Sequence, residues 1–223
     1  SMESIVQTIA IYAIPVIFAI TLHEAAHGYV ARHFGDTTAW RLGRISLNPI
    51  RHIDIIGTII LPLLILLGTK GSFVFGWAKP VPVNFSALGN PKRDMRWVAI
   101  AGPLANLAMM LIWAAFAKAV LLAGNGAGNF LVEVAIAGII TNILFMLFNL
   151  LPILPLDGGR VLCSLLPDRL ANRFARLERY GLAILIGLLL LSQLGVNVLG
   201  WVLIPTMIFS LRLVSGLFQI PIY

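Results

Sequence analysis

The chain has 223 residues, of which 59% are hydrophobic and 11% charged, and its mean hydropathy is +0.94. A soluble domain carries about twice that share of charge, and several apolar stretches approach the roughly 20 residues that cross a bilayer, so the chain is expected to be a polytopic membrane protein with no room for a sizeable soluble domain. The net charge of +7 comes without a basic patch interleaved with aromatics, which argues against nucleic acid as a partner; in a membrane chain it marks cytoplasmic loops and anionic lipid.

In chain order, a first hydrophobic helix is predicted over 4–33, with Gly35-Asp36 as its stop. It is expected to be retained, because signal cleavage would truncate the helix that carries His23-Glu24-Ala25-Ala26-His27. Residues 40–52, Arg-rich with the alternation RISL before Asn-Pro, suit a short strand or hairpin at the membrane face. The apolar stretch 53–68 is short for a span and interrupted by Gly57 and Pro62, and 72–84, rich in aromatic and β-branched residues, reads as extended chain. NPKRDMR (90–96) is a polar landing before a second clear helix over 97–123. A third follows over 130–151, broken by the Pro/Gly-rich 149–159 before a short apolar segment ends at Leu166. Residues 167–180 are basic and amphipathic, suited to a membrane surface. Two last apolar segments, 180–194 and 198–218, make a hairpin.

The expected fold is therefore an all-α polytopic membrane protein of about five to six transmembrane helices, with a small membrane-associated β-hairpin or re-entrant segment. It forms one integral-membrane domain over 1–223. The core is 4–166, with a strand or re-entrant insertion at 40–96, a surface segment at 167–179 and a C-terminal hairpin at 180–218. With the N-terminus outside and 53–84 entering and leaving on one side, Lys118 alone of the 16 Lys and Arg falls outside the cytoplasmic face. The expected location is the cell (inner) membrane, with the basic loops toward the cytoplasm. The single cysteine, Cys163, excludes an intrachain disulfide.

Ionisable side chains are expensive in hydrocarbon, so their presence in the first helix points to function. Residues four apart lie on one helix face. His23 and His27 can thus grip one metal ion while Glu24 stands beside it to handle water, the logic of H-E-x-x-H with zinc as the usual metal. A catalytic zinc needs a third protein ligand. His33 and His52 fall near the interface and are expected to be solvated, Cys163 suits packing, and Glu133 falls at the outer end of the third helix. Asp157 in PLDGGR follows a helix break on the same side as the histidines, with a helix cap as its alternative role. From Arg32 back to His23 is nine residues, about 13 Å at about 1.5 Å each, so the metal would sit within the membrane near its cytoplasmic third.

HEAAH in the first helix, AGPLAN in the second and NLLPILPLDGGR after the third resemble the site-2 protease family of intramembrane zinc metalloproteases, over roughly residues 10–165. GRISLNP, HID and FGWAKPVPVN resemble its compact prokaryotic branch, the type without a PDZ or CBS domain. The resemblance implies an endopeptidase with one zinc per chain held by His23, His27 and Asp157, with Glu24 as acid/base. It implies that Asn106 or Asn149 holds substrate or polarises the scissile carbonyl, although a hydrogen bond between helices accounts for each equally well. The implied partners are transmembrane protein substrates and the lipid bilayer, with the active site toward the cytoplasm; the sequence sets no oligomeric state. Strands near 42–48 or 72–83 could clamp an unwound substrate. The competing reading is a non-hydrolytic transmembrane metal-binding protein or metal transporter, which would space its ligands along a path across the bilayer instead of gathering them at one depth. The other intramembrane HExxH chemistry, on prenylated termini, needs a Glu-rich third-ligand motif that Glu133 and Glu178 do not supply.

Overall fold

A computed structural model describes residues 2–60, 78–124, 126 and 129–222. Its helices are α1 (Met2–His33), α2 (Thr38–Arg41), α3 (Pro91–Leu122), α4 (Phe130–Asn149), α5 (Asp157–Leu165), α6 (Asp168–Ala175), α7 (Glu178–Gln193) and α8 (Val198–Phe218). Among the described residues no strand occurs.

The ends of α1 follow from its sequence. Gly35, at φ +106, donates to Arg32 O at 3.1 Å while Asp36 N donates to Ala31 O at 2.9 Å, the paired closing bonds of a glycine-terminated helix. α3 starts earlier than the 97–123 expected. Asn90 Oδ1 accepts from Arg93 N at 3.1 Å, Asp94 Oδ2 accepts from Asn90 N at 2.7 Å, and Pro91 occupies the first helical position. Reciprocal capping of this kind satisfies donors that a new helix leaves orphaned, so the polar landing is the first two turns of the helix.

α1, α3 and α4 pack against one another. The contacts run in opposite order along successive helices. His27 meets Val98 and His23 meets Asn106 between α1 and α3; Asn106 meets Asn142 between α3 and α4, and Gly138 fits against the Trp113 ring. Each neighbour is therefore antiparallel to the last. Met110, Ala114 and Ala117 of α3, Ala135, Ile139 and Ile143 of α4, and Leu211 and Val214 of α8 form the main core. The outer surface is apolar too, with Ile112, Trp201 and Phe209 each at least 66% exposed, as a lipid-facing belt requires.

Four described helices are long and apolar enough to cross a membrane: Val6–His33, Pro91–Leu122, Phe130–Asn149 and Val198–Phe218. This is a membrane protein, with fewer such helices than the five to six expected. α7 has 16 residues, about 24 Å at about 1.5 Å per residue, short of a hydrocarbon core of about 30 Å. The expected hairpin of 180–194 with 198–218 would return residue 218 to the side on which residue 180 begins. Instead Lys118 Nζ donates to Gln219 Oε1 at 3.4 Å, so α8 ends where α3 ends.

The strand or hairpin expected at 40–52 is absent. Thr38–Arg41 is helical, and Gly43 at φ +61 closes it through Gly43 N to Trp40 O and Arg44 N to Ala39 O. Pro49–His52 is a 3-10 turn capped by Asn48 Oδ1. RISL alternates, but helix-closing geometry stands on one side and an Asn-Pro turn start on the other, and no described segment pairs with it. Of the stretch 53–68, Ile55–Ile60 forms a π-helical turn and 61–68 lie outside the described residues, as do 72–77 of the expected extended segment. Residues 78–84 run without helix. Lys79 N donates to His52 O at 2.9 Å, so the chain between them leaves and returns at one place.

Candidate metal centre

His23 and His27 lie one turn apart on the face of α1 that meets Val98, Gly102 and Asn106, themselves spaced by four on α3. A β-carbon at Gly102 would stand 2.5 Å from both His23 Cε1 and His27 Nε2. Only glycine lets α3 come this close while both rings stay in place. The rings meet edge to face, 4.7 Å between centroids, and both histidines are buried.

Hydrogen bonds fix the role of each Nδ1. His27 Nδ1 lies 2.7 Å from Val98 O, which can only accept, so Nδ1 donates. His23 Nδ1 lies 2.7 Å from Asn106 Oδ1. Asn106 Nδ2 donates to Ala19 O at 3.3 Å and to Asn142 Oδ1 at 2.9 Å, and Asn142 Nδ2 donates to Gly138 O at 2.8 Å. Backbone carbonyls terminate this chain, so its polarity cannot reverse, and His23 Nδ1 donates as well. In the neutral imidazoles that a metal ion requires, both Nε2 lone pairs then point inward, 3.1 Å apart.

Asp157 completes the group as the first residue of α5. Its Oδ2 lies 3.3 Å from His23 Nε2 and its Oδ1 3.4 Å from His27 Nε2, and Oδ2 is buried without a hydrogen-bond partner. The following glycines allow this placement. A β-carbon on Gly158 would fall on the Leu150 carbonyl, and one on Gly159 would come 2.5 Å from Ile153 C, so the 150–156 turn folds directly under the start of α5. Facing lone pairs and a carboxylate repel one another unless a cation lies among them. Two atoms each about 2.0–2.1 Å from one tetrahedral zinc stand about 3.3 Å apart, which the separations here match. Two imidazoles with one carboxylate suit a borderline metal. The residues fit a metal ion, and no other group of three or more ligating side chains converges among the described residues.

Glu24 is only partly buried, and its Oε2 accepts from Val81 N at 2.7 Å. The 78–84 segment thus lies across α1 at the site, and Gly28 makes room for it, since a β-carbon there would meet Ile45 Cγ1 and Val81 Cγ1. Asn106 is completely buried with both amide donor positions used, leaving no donor for a substrate carbonyl. Asn149, half-buried at the end of α4, donates to Phe145 O at 2.9 Å within its own helix. His52 is not solvated as expected: it is 2% exposed, with Nε2 2.8 Å from Ser46 O. His33 stacks edge-on with Phe34, and Cys163 Sγ donates weakly to Ala171 O. The sequence reasoning missed Asn142 and Val81. Asn142 carried a signal, being a polar residue inside the very apolar α4; Val81 acts through its backbone and carried none.

The model of peptidase family M50 matches residues 119–192. The Bacillus subtilis protein named "Putative zinc metalloprotease YwhC" is 37% identical over 212 residues, spanning 92% of this chain and 91% of that protein. The chain belongs to peptidase family M50, the site-2 protease family. Two mycobacterial proteins, each named "Putative zinc metalloprotease Rip2", are also similar. The one from Mycolicibacterium smegmatis is 26% identical over 183 residues, 80% of this chain and 66% of its own. The one from Mycobacterium tuberculosis is 28% identical over 194 residues, 82% and 66%. No solved structure matches the chain. Membership in M50 makes this chain a member of a peptidase family, and the metal-competent triad stands where residues from α1 and α5 meet against α3.

Proposed function

We propose that this M50 member is an intramembrane zinc endopeptidase that cuts peptide bonds in or near transmembrane segments of other membrane proteins. The observation that carries the reading is the convergence of His23 Nε2, His27 Nε2 and the Asp157 carboxylate on one point, with each Nδ1 anchored and Glu24 alongside. Zinc bound there would supply Lewis-acid polarisation of the scissile carbonyl and make water acidic enough to ionise near neutral pH. The protein's own part is proton management and positioning. Glu24 takes a proton from the attacking water and delivers it to the nitrogen of the leaving peptide. Val81 N–H fixes one of its oxygens, leaving Oε1 for that exchange. Val98 O and Asn106 aim the two rings, as outer hydrogen bonds do for metal-binding imidazoles. Asn149, beside the 150–156 turn, is the asparagine left for substrate.

Substrate must enter with its helix unwound, because a helix hides its carbonyls. The backbone that could receive it is the extended 78–84 segment, since 42–48 forms no strand. The positive-inside pattern supports a site toward the cytoplasm, and the proposed enzyme lies in the inner membrane, with one zinc per chain and the whole chain acting as one membrane domain. Ligands gathered at one depth favour hydrolysis over transport.

The test is Glu24→Gln, purified in detergent, with zinc content and cleavage of a model transmembrane substrate measured together. Zinc should stay at one per chain while cleavage falls by about 100-fold or more. Unchanged cleavage with zinc retained would refute the role of Glu24.

A further inference from the structure

Beyond the end of α1, residues 41–53 together with Lys79 form an open cleft of about 590 Å³. Among the described residues, four cations line it, Arg41, Arg44, Arg51 and Lys79, and no carboxylate does. The hydrogen bonds these cations make leave their charge uncompensated. Arg44 Nη2 donates to the carbonyls of Lys79 and Pro80, at 3.1 and 3.3 Å, and Arg51 Nη1 donates to Gly43 O; a neutral carbonyl cancels no charge. Arg44 Nε is buried with no hydrogen-bond partner among the described residues. The side chains of Arg41 and Lys79 take no hydrogen bond or ion pair among the described residues. Four positive groups held around one opening, against their mutual repulsion, call for an anion.

The walls say which anion. Leu42 and Ile50 line the same cleft and are 64% and 73% exposed. Trp40, half-exposed under the Arg32 guanidinium at 4.5 Å, stands next to Arg41, at the level where aromatic residues mark a membrane interface. A free phosphate or a soluble acidic peptide accounts for the cations and leaves the aliphatic walls bare. A phospholipid covers both, with its phosphate among the cations and its glycerol and first acyl carbons against Leu42 and Ile50. We propose that this cleft is a binding site for the phosphate headgroup of an anionic membrane phospholipid. The site is distinct from the metal centre and joined to it: Arg44 holds the carbonyls of residues 79 and 80, and the next residue donates to Glu24. A lipid that grips Lys79 and Arg44 braces the segment that orients Glu24.

The test uses the full chain in neutral detergent, where no charged membrane surface exists and lipid retained in native mass spectrometry reports a site. Phosphatidylglycerol and phosphatidylcholine are titrated separately. Arg41→Gln with Lys79→Gln removes two cations that hold no part of the fold; Arg173→Gln with Arg176→Gln removes the same charge from the 167–179 segment. One phosphatidylglycerol per chain should be retained in preference to phosphatidylcholine. The first double variant should weaken it about 30-fold, at roughly fivefold per basic residue, and the second by less than about threefold. Equal retention of the two lipids, or equal loss in the two double variants, overturns the site. Displacement of phosphatidylglycerol by an equal concentration of inorganic phosphate overturns the lipid assignment in favour of a free anion. Should the first double variant fail to fold, the contrast between the two lipids on the unaltered chain decides the matter.

Discussion

Asn106 accepts from His23 and donates to Ala19 O and Asn142, joining α1, α3 and α4 at one buried side chain. The role proposed for it toward a metal is indirect, through the tautomer and aim of His23. Asn106→Ala removes the acceptor for His23 Nδ1 and leaves Asn142 Oδ1 without its donor. Zinc affinity, measured by competition with a chelator, should fall about 10- to 100-fold, as it does when such an outer partner is lost. Stability should fall by about 1–3 kcal/mol for the stranded buried groups. Asn106→Asp separates the two effects, because a carboxylate still accepts from Nδ1 but cannot donate to Asn142: zinc affinity should recover while stability does not. Wild-type zinc affinity in Asn106→Ala would remove the positioning role.

Among the elements, the α4–α5 connection sets the position of Asp157, the proposed third ligand. Gly159→Ala would drive a methyl group onto the Ile153–Leu154 backbone, which has no flexible side chain to give way. α5 must then shift with Asp157 at its head. A loss of about 1–3 kcal/mol, typical of overpacking, should accompany weaker zinc binding, whereas Leu165→Ala at the exposed far end of α5 should leave zinc binding unchanged. Weaker binding in both would uncouple the glycine from the site. Asp36 anchors the other connection, accepting from Thr38 N at 2.9 Å and Asn84 N at 2.7 Å. Burial alone would raise its pKa, but the Thr38 and Asn84 hydrogen bonds outweigh it and hold the carboxyl below its ordinary value. A lowered folded-state pKa contributes stability above the unfolded value, near 3.9, and loses it as pH falls through the folded one. Asp36→Asn should therefore melt below wild type at neutral pH, and the gap should narrow below about pH 4; a gap independent of pH would mean the charge is not used.

The same elements explain what the sequence disclosed. HEAAH and Asp157 were legible because their chemistry is local or leaves a polar residue where none is cheap. The start of α3 was legible in principle, as Asn90, Pro91 and Asp94 form a capping signature, but the density of charge there reads equally as loop. The 40–52 stretch misled because alternation over four residues fits a strand only if a partner exists, and partners are set by tertiary contact. The bond from Lys79 N to His52 O joins backbone to backbone across 27 positions, and the one from Val81 N to Glu24 Oε2 starts from a backbone donor 57 positions away. No side-chain pattern encodes them.

At the scale of the whole molecule, the direction of each span is open to measurement. α1, α3 and α4 alternate, and the Lys118–Gln219 contact puts the end of α8 with the end of α3, away from the basic loops that hold Arg41, Lys92 and Arg173. If those loops face the cytoplasm, residues 124–126 and 219–221 share the opposite side, and Arg212 lies toward it with Lys118. A helix hairpin over 180–218 would instead return residue 221 to the cytoplasm. Single-cysteine variants on a Cys163→Ala background decide between the two. Gly126→Cys and Pro221→Cys should react with a membrane-impermeant maleimide in intact spheroplasts, while Lys92→Cys and Arg173→Cys should react only after lysis. Labelling of Pro221→Cys only after lysis would reverse α8 and make α7 a crossing helix. Its 16 residues would then have to span by thinning the bilayer, a modest cost for each ångström of mismatch. That cost, set against a structure in which α7 need not cross, is why residue 221 is expected on the side of Gly126.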